Sequence, residues 1–221
     1  MEVWVIGNEL ITGIMAMVIG YLLGSTPSAY IAARLAAGKD VRQIGGGNVG
    51  GLNIYREVGV WPALAVGIVD LGKGTAAVAI AYWLLGLTDL TQPWVLAAGL
   101  AAVIGHNWMV WLKFSGGKGM GAAIGSLLVL MPLYGYWPGL LIFFGVVLIP
   151  VIITRNVALG MGIGLVSLPF IGWLGMKSGL FVAWSVVMGV IIGLKFLPTA
   201  RAAWVKSGGK KQFIFDRGQR R

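Results

Sequence analysis

The sequence has no cysteine, a single histidine and only 7 acidic residues among 221. The first absence excludes disulfides, Cys-ligated zinc and a thiol nucleophile together. A lone histidine, His106, excludes a two-histidine metal site or relay. Asp40, Glu57 and Asp70 stand far apart along the chain, so no close carboxylate pair offers acid–base or metal chemistry. Charged residues make up only 11% of the chain and hydrophobic residues 58%, whereas a soluble domain is typically about 25% charged. There are too few polar side chains to coat a globule, so the long apolar runs must face lipid. The expected fold is an all-α, polytopic membrane helical bundle.

Crossing a hydrocarbon layer of about 30 Å takes roughly 20 helical residues, a template that predicts about seven transmembrane helices. They fall near 10–34, 60–86, 93–112, 120–136, 138–153, 157–175 and 180–197. The Tyr134–Pro138 stretch separates the fourth from the fifth as an interfacial turn. The length of the first span, with Glu2 and Glu9 in its flank, argues against a cleavable signal peptide. These spans put the Lys and Arg residues from Arg34 to Arg221 on one side, leaving Lys177 opposite and Lys73 inside the second span. Cationic loops mark the cytoplasmic side, which sets the N-terminus outside and the C-terminus in the cytoplasm. The formal net charge of +10 is then a property of membrane topology and does not call for a nucleic-acid partner. Residues 1–221 are expected to form a single transmembrane domain, with 198–221 as a basic cytoplasmic tail attracted to anionic headgroups. The many glycines within spans allow close helix approach.

Polar residues outside the tail gather on the cytoplasmic face, in GSTPSAYIAAR (24–34), GGGNVGGLNIYR (45–56), DLGKG (70–74), GHNWMVWLKFSGGKG (105–119) and TRNVALG (154–160). In the second of these, Gly45, Gly47 and Gly50 free the backbone to turn N–H groups toward an anion, and Asn48, Asn53 and Arg56 add side-chain donors. The loop Gly116-Gly117-Lys118-Gly119 repeats that logic, and it is not a P-loop because Lys118 is followed by glycine. Asp70 and Lys73 lie three residues apart on one helix, where they can pair as structure or serve a site. His106 is either a general base or a loop organiser; Trp at position 111 excludes an HxxxxD dyad. Trp108 and Trp111 suit the aromatic belt at the membrane interface.

These motifs resemble those of the bacterial membrane glycerol-3-phosphate acyltransferases that use acyl phosphate, the PlsY-type family. That family carries approximately GSGNxGATNxxR, DxxKG and GHxxPVFxxFKGGKGVAT in this order. The chain matches with Gly45, Gly47, Asn48, Gly50, Asn53 and Arg56, then Asp70, Lys73 and Gly74, then Gly105, His106, Phe114, Gly116, Gly117, Lys118 and Gly119. The resemblance implies a seven-helix protein of the cytoplasmic (inner) membrane. It would transfer a fatty acyl group from acyl phosphate to the 1-hydroxyl of glycerol 3-phosphate, giving lysophosphatidate and phosphate, without metal or cofactor. Arg56 and Lys118 would neutralise phosphate, with His106 beside them. The glycines, Asn48, Asn53, Asp70, Lys73 and Arg155 would shape the substrate site, and membrane lipid would surround it. The chain departs from the family at Gly46, where the family has serine, at Arg155–Met161, which lacks the serines of the third motif, and at Lys195–Ala202, which lacks the C-terminal His and Asn. Three further readings therefore stay open: a paralogue with another acceptor, a non-catalytic lipid- or anion-binding protein, and a small anion transporter. The crowding of polar residues at one face tells against the last.

Overall fold

A computed structural model describes residues 2–86 and 93–207. Lys210, Lys211, Arg217, Arg220 and Arg221 of the expected tail lie outside the described residues. The chain divides into two compact units, Met1–Leu133 and Tyr134–Arg221. Among the described residues the regular elements are all helical, and the only β feature is an isolated bridge between Met109 and Ser115. Four stretches, Glu9–Ala37, Val60–Leu85, Val157–Met176 and Gly179–Ala202, are long and apolar enough to cross a membrane.

The first unit holds α1 (Glu2–Gly24), α2 (Ser28–Ala37), α3 (Gly51–Glu57), α4 (Val60–Leu85), α5 (Pro93–Asn107) and α6 (Met120–Leu133). The expected first span is two helices, because Pro27 has no N–H to continue α1 and disfavours helical backbone before it. The α2 helix ends at Gly38, whose left-handed backbone (φ 66°) lets the Gly38 and Lys39 N–H groups donate to the Arg34 and Ala33 carbonyls. Just beyond, Asp40 accepts from the Arg42 guanidinium at 2.6 and 3.0 Å and from its backbone N–H at 3.0 Å. Those bonds hold its carboxyl down to about 2. The α5 helix stops at Asn107, short of the expected 112. From there the chain turns through Trp108, whose carbonyl accepts from the Tyr21 hydroxyl at 2.9 Å, into the buried Met109.

Helices α1, α4, α5 and α6 pack against one another through small residues. A Cβ on Gly74 of α4 would overlap the Ala122 carbonyl of α6, and one on Gly125 of α6 would overlap the Leu71 carbonyl of α4. Backbone thus meets backbone, which holds α6 and the loop before it rigidly to α4. A second core, comprising Ala29, Ala33, Val41, Val49, Ile54, Val66, Met109 and Leu112, lies beneath the polar segments. It draws one buried side chain from the first glycine loop, Val49, and two from the approach to the second, Met109 and Leu112.

The second unit holds α7 (Pro138–Thr154), α8 (Val157–Ile171) and α9 (Gly179–Ser207), with one wide turn at Gly172–Met176. Gly160 and Gly164 of α8 lie against Val147 and Val151 of α7. Phe181 packs on Trp184 and Tyr134 at ring separations of 5.2 and 5.8 Å. The helix expected to end at 197 runs on through Pro198 to Ser207. Neighbouring groups can accommodate a proline in an apolar helix, so the tail expected from 198 begins as helix.

Candidate functional site

The first glycine loop owes its shape to one buried side chain. Asn53, in the first turn of α3, accepts from the Gly46 N–H at 3.2 Å and donates to the Val41 and Ile44 carbonyls at 3.3 and 3.1 Å. Its carboxamide is spent on the loop and faces inward, bracing the site rather than presenting a donor to it. Gly45 and Gly47 adopt left-handed backbone (φ 55° and 67°), where a Cβ is strained, and both stand at the surface side of the turn with Asn48. Arg56 projects from the exposed face of α3.

The second loop is pinned at both ends. Its entry is the Met109–Ser115 bridge, within which Lys113 and Phe114 both adopt left-handed backbone. Beyond it, the Gly117 N–H donates to the His106 carbonyl at 3.0 Å, and Gly119 (φ 75°) leads into α6. Lys118 is half-buried between these points. Burial pushes its ammonium below the ordinary lysine value, and the positive charge of Arg56 pushes it in the same direction. The cation of the second loop and the one on α3 therefore share one electrostatic neighbourhood.

Behind the loops lies a buried polar cluster. Asp70, Lys73 and His106 are 5%, 4% and 3% exposed. Lys73 Nζ donates to Asp70 Oδ1 at 2.7 Å and to Ser28 Oγ at 3.3 Å, and the Ser28 hydroxyl donates to the same Asp70 oxygen at 2.6 Å. His106 Nδ1 stands 3.6 Å from that oxygen. The i,i+3 pairing expected within α4 is present, and the structure adds two members from other helices. Ser28 was not legible as a site residue, since its only sequence signal is a place in the polar GSTPS stretch. The acidic neighbour of His106 comes from α4, far along the chain. Asn107 is a further addition: it is fully buried, its Oδ1 lies under Gly119, and its carboxamide has no hydrogen-bond partner among the described residues.

The first unit thus gathers Gly45, Gly47, Asn48, Gly50, Asn53 and Arg56 on one loop and helix, and Gly116, Gly117, Lys118 and Gly119 on the other, with Asp70, Lys73 and His106 behind them. Arg155 belongs to the second unit, where it caps α7 in left-handed conformation (φ 57°) and is exposed. Chemically, a rim of two cations and glycine N–H groups over a buried, internally neutralised cluster suits the binding of phosphate and the stabilisation of a phosphate leaving group.

A family model described as glycerol-3-phosphate acyltransferase matches residues 14–203. "Glycerol-3-phosphate acyltransferase 1" of Dehalococcoides mccartyi is 48% identical over 206 residues, covering 93% of this chain and 98% of the relative. A "Glycerol-3-phosphate acyltransferase" of Prochlorococcus marinus is 44% identical over 164 residues, covering 74% and 76%. Among solved structures, the glycerol 3-phosphate form of PlsY (YgiH), an integral membrane glycerol 3-phosphate acyltransferase, superposes with a TM-score of 0.78 at 26% identity, covering 89% of this chain and 92% of that one.

Proposed function

The chain belongs to the glycerol-3-phosphate acyltransferase family of membrane proteins, and from that premise we propose that it moves a fatty acyl group from acyl phosphate to the 1-hydroxyl of glycerol 3-phosphate. The products are lysophosphatidate and phosphate. The observation that carries this reading is the shared electrostatic neighbourhood of Arg56 and Lys118, on two glycine loops rooted in one core.

Acyl phosphate is a mixed anhydride. The acceptor oxygen forms a bond to the acyl carbon, the acyl C–O bond to phosphate breaks, and phosphate departs with the bonding pair. The proton lost by the hydroxyl is taken up by the more basic phosphate released, so the balance needs no metal and no cofactor. The work left to the protein is positioning and charge stabilisation. Lys118, Arg56 and the N–H groups of Gly45, Gly116 and Gly119 hold phosphate charge and Asn48 adds a donor, while Gly47, Gly50 and Gly117, whose N–H groups donate to the Ile44, Asn48 and His106 carbonyls, keep the loops in shape together with Asn53. His106, Asp70 and Lys73 support the loops from behind. The acyl chain stays in membrane lipid while both phosphates sit at the polar rim.

In this reading the chain crosses the bacterial inner membrane about seven times as one transmembrane domain. The loops and the basic tail from 198 face the cytoplasm and the N-terminus lies outside, a reading supported by the distribution of Lys and Arg along the sequence. The test is donor choice. Purified protein is given labelled glycerol 3-phosphate with palmitoyl phosphate or with palmitoyl coenzyme A, and lysophosphatidate is quantified. Product from the phosphate alone is expected, whereas product from the thioester alone would overturn the donor assignment.

A further inference from the structure

The cluster behind the loops is buried, and it reaches both of them. Asp70 is already neutralised by Lys73 and satisfied by Ser28, so its approach to His106 Nδ1 at 3.6 Å is an additional contact. On the opposite edge of the ring, His106 Nε2 and the Val49 carbonyl oxygen converge on one point, the place that a Cβ on Gly117 would fill. Val49 belongs to the first loop and Gly117 to the second, and the Gly117 N–H also donates to the His106 carbonyl at 3.0 Å. The imidazole thus spans from α4 to the junction of the two loops. It is 3% exposed, with protein against both nitrogens, which is poor placement for a base that must touch an acceptor hydroxyl.

The geometry points to Asp70 and His106 as positioning residues for the reaction proposed above: Asp70 orients the His106 ring, and the ring sets the spacing of the two loops and so of Arg56 and Lys118. This inference rests on that reading of the site. A shift of about 1 Å in such a spacing can cost on the order of 100-fold in kcat/KM, so a ring acting only through the loops can govern the reaction, here by setting how well the acceptor is held.

The test uses the full chain in detergent, with thermal unfolding as the check on folding. Acceptor titrations are run at saturating palmitoyl phosphate. His106→Ala is expected to raise KM for glycerol 3-phosphate by about 10- to 100-fold, with kcat changed by less than about 5-fold. His106→Gln places an amide near the position of Nε2 but cannot serve as a base, and it is expected to restore most of the KM. Loss of kcat by about 100-fold or more in both variants, at unchanged KM, is the signature of a base and overturns the proposal.

Asp70 is tested as Asp70→Asn with Lys73→Met, which avoids leaving a buried charge unpaired. That pair of substitutions is expected to raise KM about 10-fold in the parent and to add nothing in the His106→Ala background, since one residue acts through the other. Full additivity overturns the coupling. Calorimetric titration with inorganic phosphate separates this inference from the functional reading. If the parent protein shows no acceptor-dependent turnover, the reading fails. Phosphate binding weakened about 10-fold in His106→Ala and in the Asp70 variant alike still supports positioning, and equal binding in all proteins overturns it.

Discussion

Replacing Gly117 by alanine tests whether the two loops meet where the structure puts them. Gly117 has ordinary backbone, so the new methyl brings no conformational strain and acts only by occupying space. That space is taken: the Cβ would overlap His106 Nε2 and the Val49 carbonyl oxygen and would come within 3.0 Å of His106 Cδ2. None of these neighbours is the free end of a flexible chain. The ring is held between Asp70 and the loop, and Val49 is locked into the core with Ile54 and Met109. The loops must therefore separate by a substantial fraction of an ångström. Overpacking of this kind costs about 1–3 kcal/mol, and each 1.4 kcal/mol that falls on the transition state is about tenfold in rate. The expected result is a kcat/KM for glycerol 3-phosphate lowered about 10- to 100-fold, read as phosphate release from palmitoyl phosphate. The control is Gly67→Ala, on α4 with nothing within 4 Å of its Cβ, which should stay within about threefold of the parent. A Gly117→Ala protein of unchanged melting temperature and unchanged kcat/KM would refute the junction.

The buried ion pair predicts an asymmetric stability effect. Asp70→Asn leaves the Lys73 charge unpaired and should cost about 3–5 kcal/mol in thermal unfolding, and adding Lys73→Met should recover most of that loss. Asn53→Ala removes the acceptor for the Gly46 N–H and the donor to two carbonyls. It should destabilise by about 2–4 kcal/mol and raise KM for glycerol 3-phosphate, with Asn53→Asp intermediate because it keeps the acceptor. The lowered pKa of Lys118 sets a direction with pH. Its positive charge is lost as pH rises through a value below the ordinary lysine value, so KM for glycerol 3-phosphate should climb on the alkaline side, a climb that Lys118→Arg should abolish. In the same window the folded state binds fewer protons than the unfolded chain, so the Lys118 contribution to stability rises with pH there, which denaturant titrations at several pH values would register.

Much of this was legible in the chain because apolar runs and their breakers act locally. The helices α4, α7 and α8 begin and end near the glycines, prolines and Asn156 that punctuate them, and the two glycine loops announce themselves by composition. Distance along the chain hid the rest. Nothing near His106 in sequence suggests an acidic partner, since Asp70 reaches it only through the close packing of α4 on α5 and α6. Ser28 looks like one more polar residue after a proline until α2 lays it against α4. Asn53 was expected to face a ligand because asparagine is a good donor, but donors also brace loops, and only the positions of Val41, Ile44 and Gly46 decide between these uses. The split of the first span followed from Pro27, whereas the continuation of α9 through Pro198 ran against the same rule. A missing N–H is tolerated or not according to its surroundings, which a single sequence does not reveal.

The most direct trial of the central claim is phosphate release from palmitoyl phosphate as glycerol 3-phosphate is titrated, with parent protein and Lys118→Ala side by side. Saturable, acceptor-dependent release is expected from the parent, reduced about 100-fold or more by the substitution. Release indifferent to glycerol 3-phosphate, or untouched by loss of Lys118 in folded protein, would contradict the account.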